Sequence, residues 1–196
     1  MSIKETFKEQ KLPENFYWLN EPASWSCGNG LELVTDRETD FWQRTHYGFR
    51  RDSGHCLLTD ISTDFILTTQ VRFSPMCQYD QCGMMIRVNE DNWIKLSTEY
   101  ENKSISRLGS VVTNSGYSDW ATQDVSSVIT SRWYRITRHG NDYMLEAAED
   151  GETWYQLRVT HLHPATKKIA AGLYACSPIG EAFHCTFSFF ETNIPK

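Results

Sequence analysis

No run of apolar residues in the chain approaches the roughly 20 that a membrane helix requires, which excludes a helical span. The opening segment MSIKETFKEQKLPENFYW has charges scattered through it and no continuous apolar stretch of the kind found at the centre of a signal peptide. On that reading the protein is expected in the cytoplasm, with no membrane partner. Basic residues do not dominate either. The balance of 19 Lys and Arg against 25 Asp and Glu leaves a formal charge of -6, so no cationic field draws in a phosphate backbone, and nucleic acid is excluded as a partner. Basic runs stop at pairs such as Arg50-Arg51 and Lys167-Lys168. Glycine-rich phosphate loops are missing too, because Gly28-Asn29-Gly30 is followed by neither a helix nor a third glycine. No nucleotide or other cofactor is expected. The six cysteines, Cys27, Cys56, Cys77, Cys82, Cys176 and Cys185, lack the short paired spacings of a zinc site and are read as reduced, mostly structural thiols.

What is present fits one domain over residues 1–196, since 40% of the residues are hydrophobic and all-β sandwiches of about this length are commonly single units. Aromatic residues, with 7 Trp, 9 Tyr and 10 Phe, exceed what a core requires and suit flat recognition surfaces. Short β-like runs recur at 24–27, 31–35, 55–59, 64–73, 104–113, 133–139, 142–149, 155–159, 169–175 and 182–191. Gly28-Asn29-Gly30, Ser53-Gly54, Gly140-Asn141 and Asp150-Gly151 punctuate them, and no long amphipathic helix, repeat or linker is visible. This pattern predicts an all-β sandwich or barrel. Between Trp133 and Leu157 the two tight turns predict a three-stranded meander, with Trp154 packed over the second turn.

The strongest single signal is the hairpin from Tyr79 to Glu101. Gln81, Arg87, Lys95, Glu99 and Glu101 alternate with Met84, Ile86, Val88, Ile94 and Leu96, which predicts two strands with one face in a core and the other open. Matching the apolar faces sets Val88 near Ile94, Arg87 beside Lys95 and Gly83 beside Glu99. Like charges directly opposite each other cost stability, so this register asks for a bound anion, a carboxylate or a polar ligand to offset them. The plain alternative is a solvated sheet face.

Histidine and cysteine chemistry is thinly supported. His161 and His163 form an H-x-H pair without a third metal ligand, beside Pro164, and read as surface residues; no metal is expected. His55-Cys56 and His184-Cys185 are sequence neighbours, and neighbours on a strand face opposite ways. His184 alternates with Phe183, Cys185 and Phe187, which puts it on the other, potentially ligand-facing, side.

Several motifs taken together resemble the DUF1349 family: Asp40-Phe41-Trp42 with Tyr47-Gly48, Gly83-Met84-Met85-Ile86-Arg87, Trp93-Ile94-Lys95-Leu96 with Glu99, and Val111-Val112-Thr113-Asn114 followed by Gly116-Tyr117-Ser118-Asp119-Trp120. The likeness keeps the motif order over nearly the whole chain. It implies a concanavalin A-like jelly-roll β-sandwich of two curved antiparallel sheets, one of them forming a concave groove. In related superfamilies that groove binds or cleaves glycans. The wet hairpin face would then line it, so a sugar, sugar phosphate or oligosaccharide is the expected ligand. Ring stacking would come from Trp42 and Trp120, with His46 and Tyr47 in the walls, and polar contacts from Gln81, Arg87, Lys95, Glu99, Asp119, Glu146 and His184.

Glucanases of this fold carry Glu-x-Asp-x-Glu on one strand, and Glu99-Tyr100-Glu101 lacks the middle aspartate and the third position. Two carboxyls about 5 Å apart serve retaining hydrolysis. Catalysis here would therefore need a different pair, Glu99 with Asp119 or Glu146. For the loop Gly116 to Trp120 the structural alternative is that Ser118 and Asp119 cap the turn while Trp120 packs beneath. The family is named for a yeast regulator of enolase, which implies a second reading: a non-catalytic module that binds a metabolic enzyme. Edge strands of an open sandwich would also allow a homodimer.

Overall fold

Eighteen strands, most of them foreshadowed by apolar residues at every second position, appear in a computed structural model that describes residues 2–164, 166–180 and 182–195. In chain order they are β1 (Ile3–Glu5), β2 (Tyr17–Leu19), β3 (Ser24–Cys27), β4 (Leu31–Val34), β5 (Phe41–Gln43), β6 (Arg50–Asp52), β7 (His55–Ile61), β8 (Phe65–Ser74) and β9 (Gln81–Asn89). They continue as β10 (Asn92–Tyr100), β11 (Ile105–Asn114), β12 (Tyr117–Ser126), β13 (Ser131–His139), β14 (Asp142–Ala148), β15 (Tyr155–His161), β16 (Ile169–Cys176), β17 (His184–Phe187) and β18 (Phe190–Asn193). No helix among the described residues is long and apolar enough to cross a membrane.

Two antiparallel sheets face each other, as the jelly-roll expectation requires. The first runs β15-β14-β13-β8-β17-β4-β3, with β18 and then β1 added beside β8; the second runs β12-β11-β10-β9-β16-β7-β2. Leu67, Val71, Tyr134, Ile136, Leu145 and Phe187 of the first sheet meet Leu57, Met84, Ile86, Ile94, Leu96, Val112 and Leu173 of the second in a fully buried core. Burying such side chains contributes roughly 1.5–3 kcal/mol each. The meander β13-β14-β15 forms as anticipated. Its second turn differs in detail: Trp133 covers Gly151, where a Cβ would stand 2.8 Å from the indole, and Trp154 instead lies 4.2 Å beneath the Arg135 guanidinium.

The long run at 182–191 breaks into β17 and β18, because the Ser188 N–H turns aside to the Gln70 carbonyl at 2.9 Å. Strand β12 has no apolar alternation to announce it. It is an edge strand on which Ser118 alone is buried, so it forms through backbone pairing with β11 rather than through burial.

The central hairpin keeps its faces and changes its partners. Ile94 pairs with Ile86, Trp93 with Arg87, Ser97 with Gly83 and Glu99 with Gln81, two residues away from the expected register. A two-residue turn at Glu90-Asp91 and a bulge at Asn92/Trp93 set that register; the Asn89 side chain holds the turn by accepting from Asp91 N–H and Asn92 Nδ2. The expected Arg87–Lys95 juxtaposition is therefore absent. Arg87 is bound through both terminal nitrogens to Asp52, at 2.8 and 2.7 Å.

Nor is the second face of the hairpin open. The β5–β6 hairpin lies across it and forms a second core in which Phe41 and Trp42 pack on Cys56, Leu58, Met85, Trp93, Val111, Tyr174 and Cys176. The molecule has three layers here: sheet, sheet and hairpin. What remains of the groove is a pocket at the hairpin's edge.

Candidate functional site

The pocket encloses about 460 Å³ between the β5–β6 hairpin, the central strands β9 to β12, and the segments carrying Tyr79 and Pro178-Ile179. Its walls are aromatic. Trp42, expected to stack on the ligand, is only 7% exposed because it packs against the sheet, but one side of it borders the pocket. Its indole N–H donates to the Thr45 carbonyl at 3.0 Å, so its orientation is fixed by the hairpin turn. Trp120, 37% exposed, stands across from it with ring centroids 6.4 Å apart at 81°. Tyr47 closes the corner at 5.3 Å from Trp42 and stacks on Phe49. The turn between β5 and β6 achieves this by placing Arg44, His46 and Gly48 at positive φ.

Tyr79, also at positive φ, enters from the loop before β9. Buried Asp80 shapes that loop: its Oδ2 accepts the N–H groups of Met76 and Cys77 at 2.8 Å, and its Oδ1 accepts from the Ser177 hydroxyl. The same contact ties the loop to the segment that supplies Pro178 and Ile179.

The floor is polar and buried. Along β10, Lys95 and Glu99 face the pocket on either side of Ser97, whose neighbours across the sheet are Gly83 and Gly109. Gly83 does not open space beside Glu99 as its expected position implied; a Cβ there would meet the Leu96 carbonyl oxygen at 2.0 Å. Gln81, opposite Glu99, donates from Nε2 to Glu99 Oε2 at 2.7 Å and accepts at Oε1 from the Tyr174 hydroxyl at 3.1 Å. Lys95 donates to Asp40 Oδ1 at 3.4 Å, and the same oxygen accepts the Phe41 N–H at 2.7 Å.

Electrostatics separates the two charged floor residues. Desolvation pushes the Glu99 carboxyl up to about 7, opposed by Lys95 and reinforced by Asp40 and Glu101. Burial also acts against the Lys95 ammonium, but the attraction of Asp40, Cys176 and Glu99 outweighs it and holds its pKa above the ordinary lysine value. Near neutral pH the floor thus holds a fixed cation and a carboxyl poised to gain or lose a proton. Perturbed groups gathered in one concavity are what binding and catalytic sites have in common.

Trp42, Tyr47, Gln81, Lys95, Glu99 and Trp120 converge in the pocket, and the other expected site residues do not. His46 is exposed and packs on the Tyr47 ring from outside. Arg87 is held by Asp52. Asp119 points away from Trp120 because neighbours on β12 face opposite ways; it is 71% exposed and pairs with Arg158 at 3.0 Å. Glu146 and His184 belong to the far sheet, where their neighbours Leu145, Ala147, Cys185 and Phe187 fill the core, so both face outward on the opposite side of the sandwich. Glu146 is occupied there by Arg135, with two contacts of 2.7 Å. Neither proposed partner of Glu99 therefore reaches it. Asp40, Phe49, Arg51, Tyr79, Val111, Pro178 and Ile179 complete the lining and were not anticipated. Asp40 had a signal, since it precedes the buried Phe41-Trp42 pair; Phe49, Tyr79, Pro178 and Ile179 come from loops whose reach no periodicity reveals, and Arg51 from the short strand β6.

Among the described residues no group of three or more His, Cys, Asp or Glu side chains is arranged to hold a metal. His161 binds Asp142 at 2.6 Å.

Residues 18–195 match the family described as a protein of unknown function, DUF1349. The chain belongs to the DUF1349 family. This DUF1349 chain is 34% identical over 179 residues to "Regulation of enolase protein 1" of Saccharomyces cerevisiae, covering 91% of itself and 89% of that relative. It is also similar to the crystal structure of a functionally unknown protein from Saccharomyces cerevisiae, with a TM-score of 0.86, 32% identity, and coverage of 93% and 97% of the two chains. A GH43 protein from Bacillus licheniformis superposes with a TM-score of 0.75 at 16% identity, over 98% of this chain and 39% of that one. At that identity the likeness is one of fold, the jelly-roll sandwich.

Proposed function

We propose that the protein binds a small carbohydrate in the pocket beneath the β5–β6 hairpin. The observation that carries this reading is the right-angled pair of Trp42 and Trp120 standing over Gln81, Lys95 and Glu99. A pyranose has an apolar face that stacks on an indole and hydroxyls that need donors and acceptors, and the pocket offers both within one small-molecule volume. Charge favours an uncharged ring, because Lys95 is matched by Asp40 and Arg87 by Asp52. Arg51, at the mouth, is the place where a sugar phosphate would gain a further contact.

Thermal shifts against sugars, sugar phosphates and oligosaccharides test the reading. A ligand at a hundred times its dissociation constant stabilises by about 2.7 kcal/mol. The expected result is a shift that Trp120→Ala removes. No shift with any member would abandon the carbohydrate reading.

A second reading is supported by the rim and by the name of the yeast relative. Tyr47, Phe49 and Ile179 are exposed apolar side chains around one opening, a composition that suits a protein interface. The partner would then be a metabolic enzyme. Stoichiometric retention of such an enzyme, lost in Phe49→Ser and kept in Glu99→Gln, would favour it over a sugar.

A further inference from the structure

Carbohydrate binding leaves the charges on the pocket floor unexplained. Hydroxyls and amides would satisfy sugar hydroxyls without the desolvation that a buried ammonium and two carboxyls incur. Lys95 is 3% exposed, and among the described residues its ammonium makes one hydrogen bond, the long contact to Asp40. An ammonium has three donors, so two of them are left for whatever fills the pocket. Glu99 commits Oε2 to Gln81, while Oε1 has no partner among the described residues.

The sign of these charges discriminates between reactions. Cleavage of a glycosidic bond passes through a transition state with positive character on the sugar, which the Lys95 ammonium opposes, and it uses a pair of carboxyls with one free to act beside the bond. Asp40 is tied to Lys95 and to a backbone amide. Removal of a proton from a carbon next to a carbonyl instead builds negative charge on the carbonyl oxygen, which the same ammonium stabilises. That reaction requires one base and one cationic donor in a site largely closed to water.

We propose that the pocket catalyses proton transfer at the carbon beside the carbonyl of a small uncharged hydroxy-aldehyde or hydroxy-ketone, with Glu99 as base and Lys95 as donor to the carbonyl oxygen. The inference rests on the sugar-pocket reading. In the forward step the Glu99 carboxylate takes the proton, the C–H electron pair becomes the carbon–carbon double bond of an enediolate, and the charge moves to the oxygen beside Lys95. The proton then returns to the former carbonyl carbon, while the hydroxyl proton of the neighbouring carbon passes to the old carbonyl oxygen. Aldose and ketose interconvert, and atoms and electrons balance without a co-reactant. Gln81 is a positioning residue, holding Oε2 so that Oε1 is presented to the substrate. Burial keeps the carboxyl near 7, where a base is strong enough to act and still substantially ionised at neutral pH.

The test incubates the protein in D₂O with glyceraldehyde, dihydroxyacetone, D-xylose, D-glucose and D-fructose. Proton NMR follows exchange of the hydrogen beside the carbonyl, and thermal shifts are recorded for the same compounds. The expected result is exchange at least a hundredfold above buffer in wild type, lost in Glu99→Gln while the thermal shift persists, and reduced at least tenfold in Lys95→Met. A compound that shifts the melting temperature yet exchanges at the buffer rate overturns the catalytic proposal and leaves the binding reading standing. Exchange that survives unchanged in Glu99→Gln or Lys95→Met overturns the assignment of roles. Neither shift nor exchange with any compound overturns both.

Discussion

Gln81 and Glu99 face each other across β9 and β10 and share a hydrogen bond of 2.7 Å from Nε2 to Oε2. Both are buried, and the bond fixes one carboxyl oxygen without neutralising the group.

A pH dependence of stability follows. Folding raises the Glu99 carboxyl from its ordinary 4.5 to about 7, mainly by desolvation. The native state then holds this proton more tightly than the unfolded chain does. Its contribution is complete below pH 4.5 and is lost as pH climbs through 7, by about 3 kcal/mol in all. Glu99→Gln is expected to match wild type in urea unfolding at pH 4.5 and to exceed it by about 3 kcal/mol at pH 8. Parallel curves at both pH values would remove Glu99 as the cause.

The sandwich, the meander and the inward-facing set of the central hairpin were legible because burial on one face writes a period of two into the chain. Met84, Ile86, Ile94 and Leu96 show it plainly. Strand β12 was not legible, since an exposed edge strand has no buried face to write with. The hairpin register escaped because a bulge at Asn92/Trp93 moves every partner and alters no face. Within the site, Gln81, Lys95 and Glu99 were legible as one side of two strands. Asp119, Glu146 and His184 look equally suitable as polar residues, but alternation on β12 and membership of the far sheet carry them elsewhere.

The two tryptophans of the pocket should respond differently to truncation. Trp42 is part of the second core, so Trp42→Ala is expected to cost about 3–5 kcal/mol. Trp120 sits on an edge strand and is partly exposed; Trp120→Ala is expected to change stability by about 1 kcal/mol or less while abolishing sugar-induced stabilisation. Chemical denaturation with and without the sugar identified in the screen checks both.

Residues outside the pocket provide the controls. Asp119→Asn and His184→Ala are expected to leave sugar binding unchanged, measured by calorimetry. Glu146→Gln breaks the paired contacts with Arg135 and is expected to lower stability by about 1–3 kcal/mol, again without altering affinity. A tenfold loss of affinity in any of the three would mean that the ligand binds elsewhere.

Gly83 is required by its neighbour's backbone rather than by a turn. A methyl group there would press on the Leu96 carbonyl oxygen, which belongs to the ladder and has no rotamer to change. Gly83→Ala is expected to destabilise by at least about 2 kcal/mol in denaturant unfolding.

The β5–β6 hairpin is a clasp laid over a finished sheet. Its polar fastenings to the sheet are side-chain contacts rather than a ladder: Gln43 N–H to Ser118 Oγ, Gln43 Nε2 to the Glu90 carbonyl, Arg44 to the Gly116 carbonyl, Arg50 to Asp91, and Arg87 to Asp52. The strands beneath are locked by continuous ladders on both sides. Opening the clasp therefore costs less than opening the sandwich. A ligand seated against both Trp42 and Trp120 would touch the clasp and the sheet edge together, and would add a further joint between a layer that can lift and a layer that cannot.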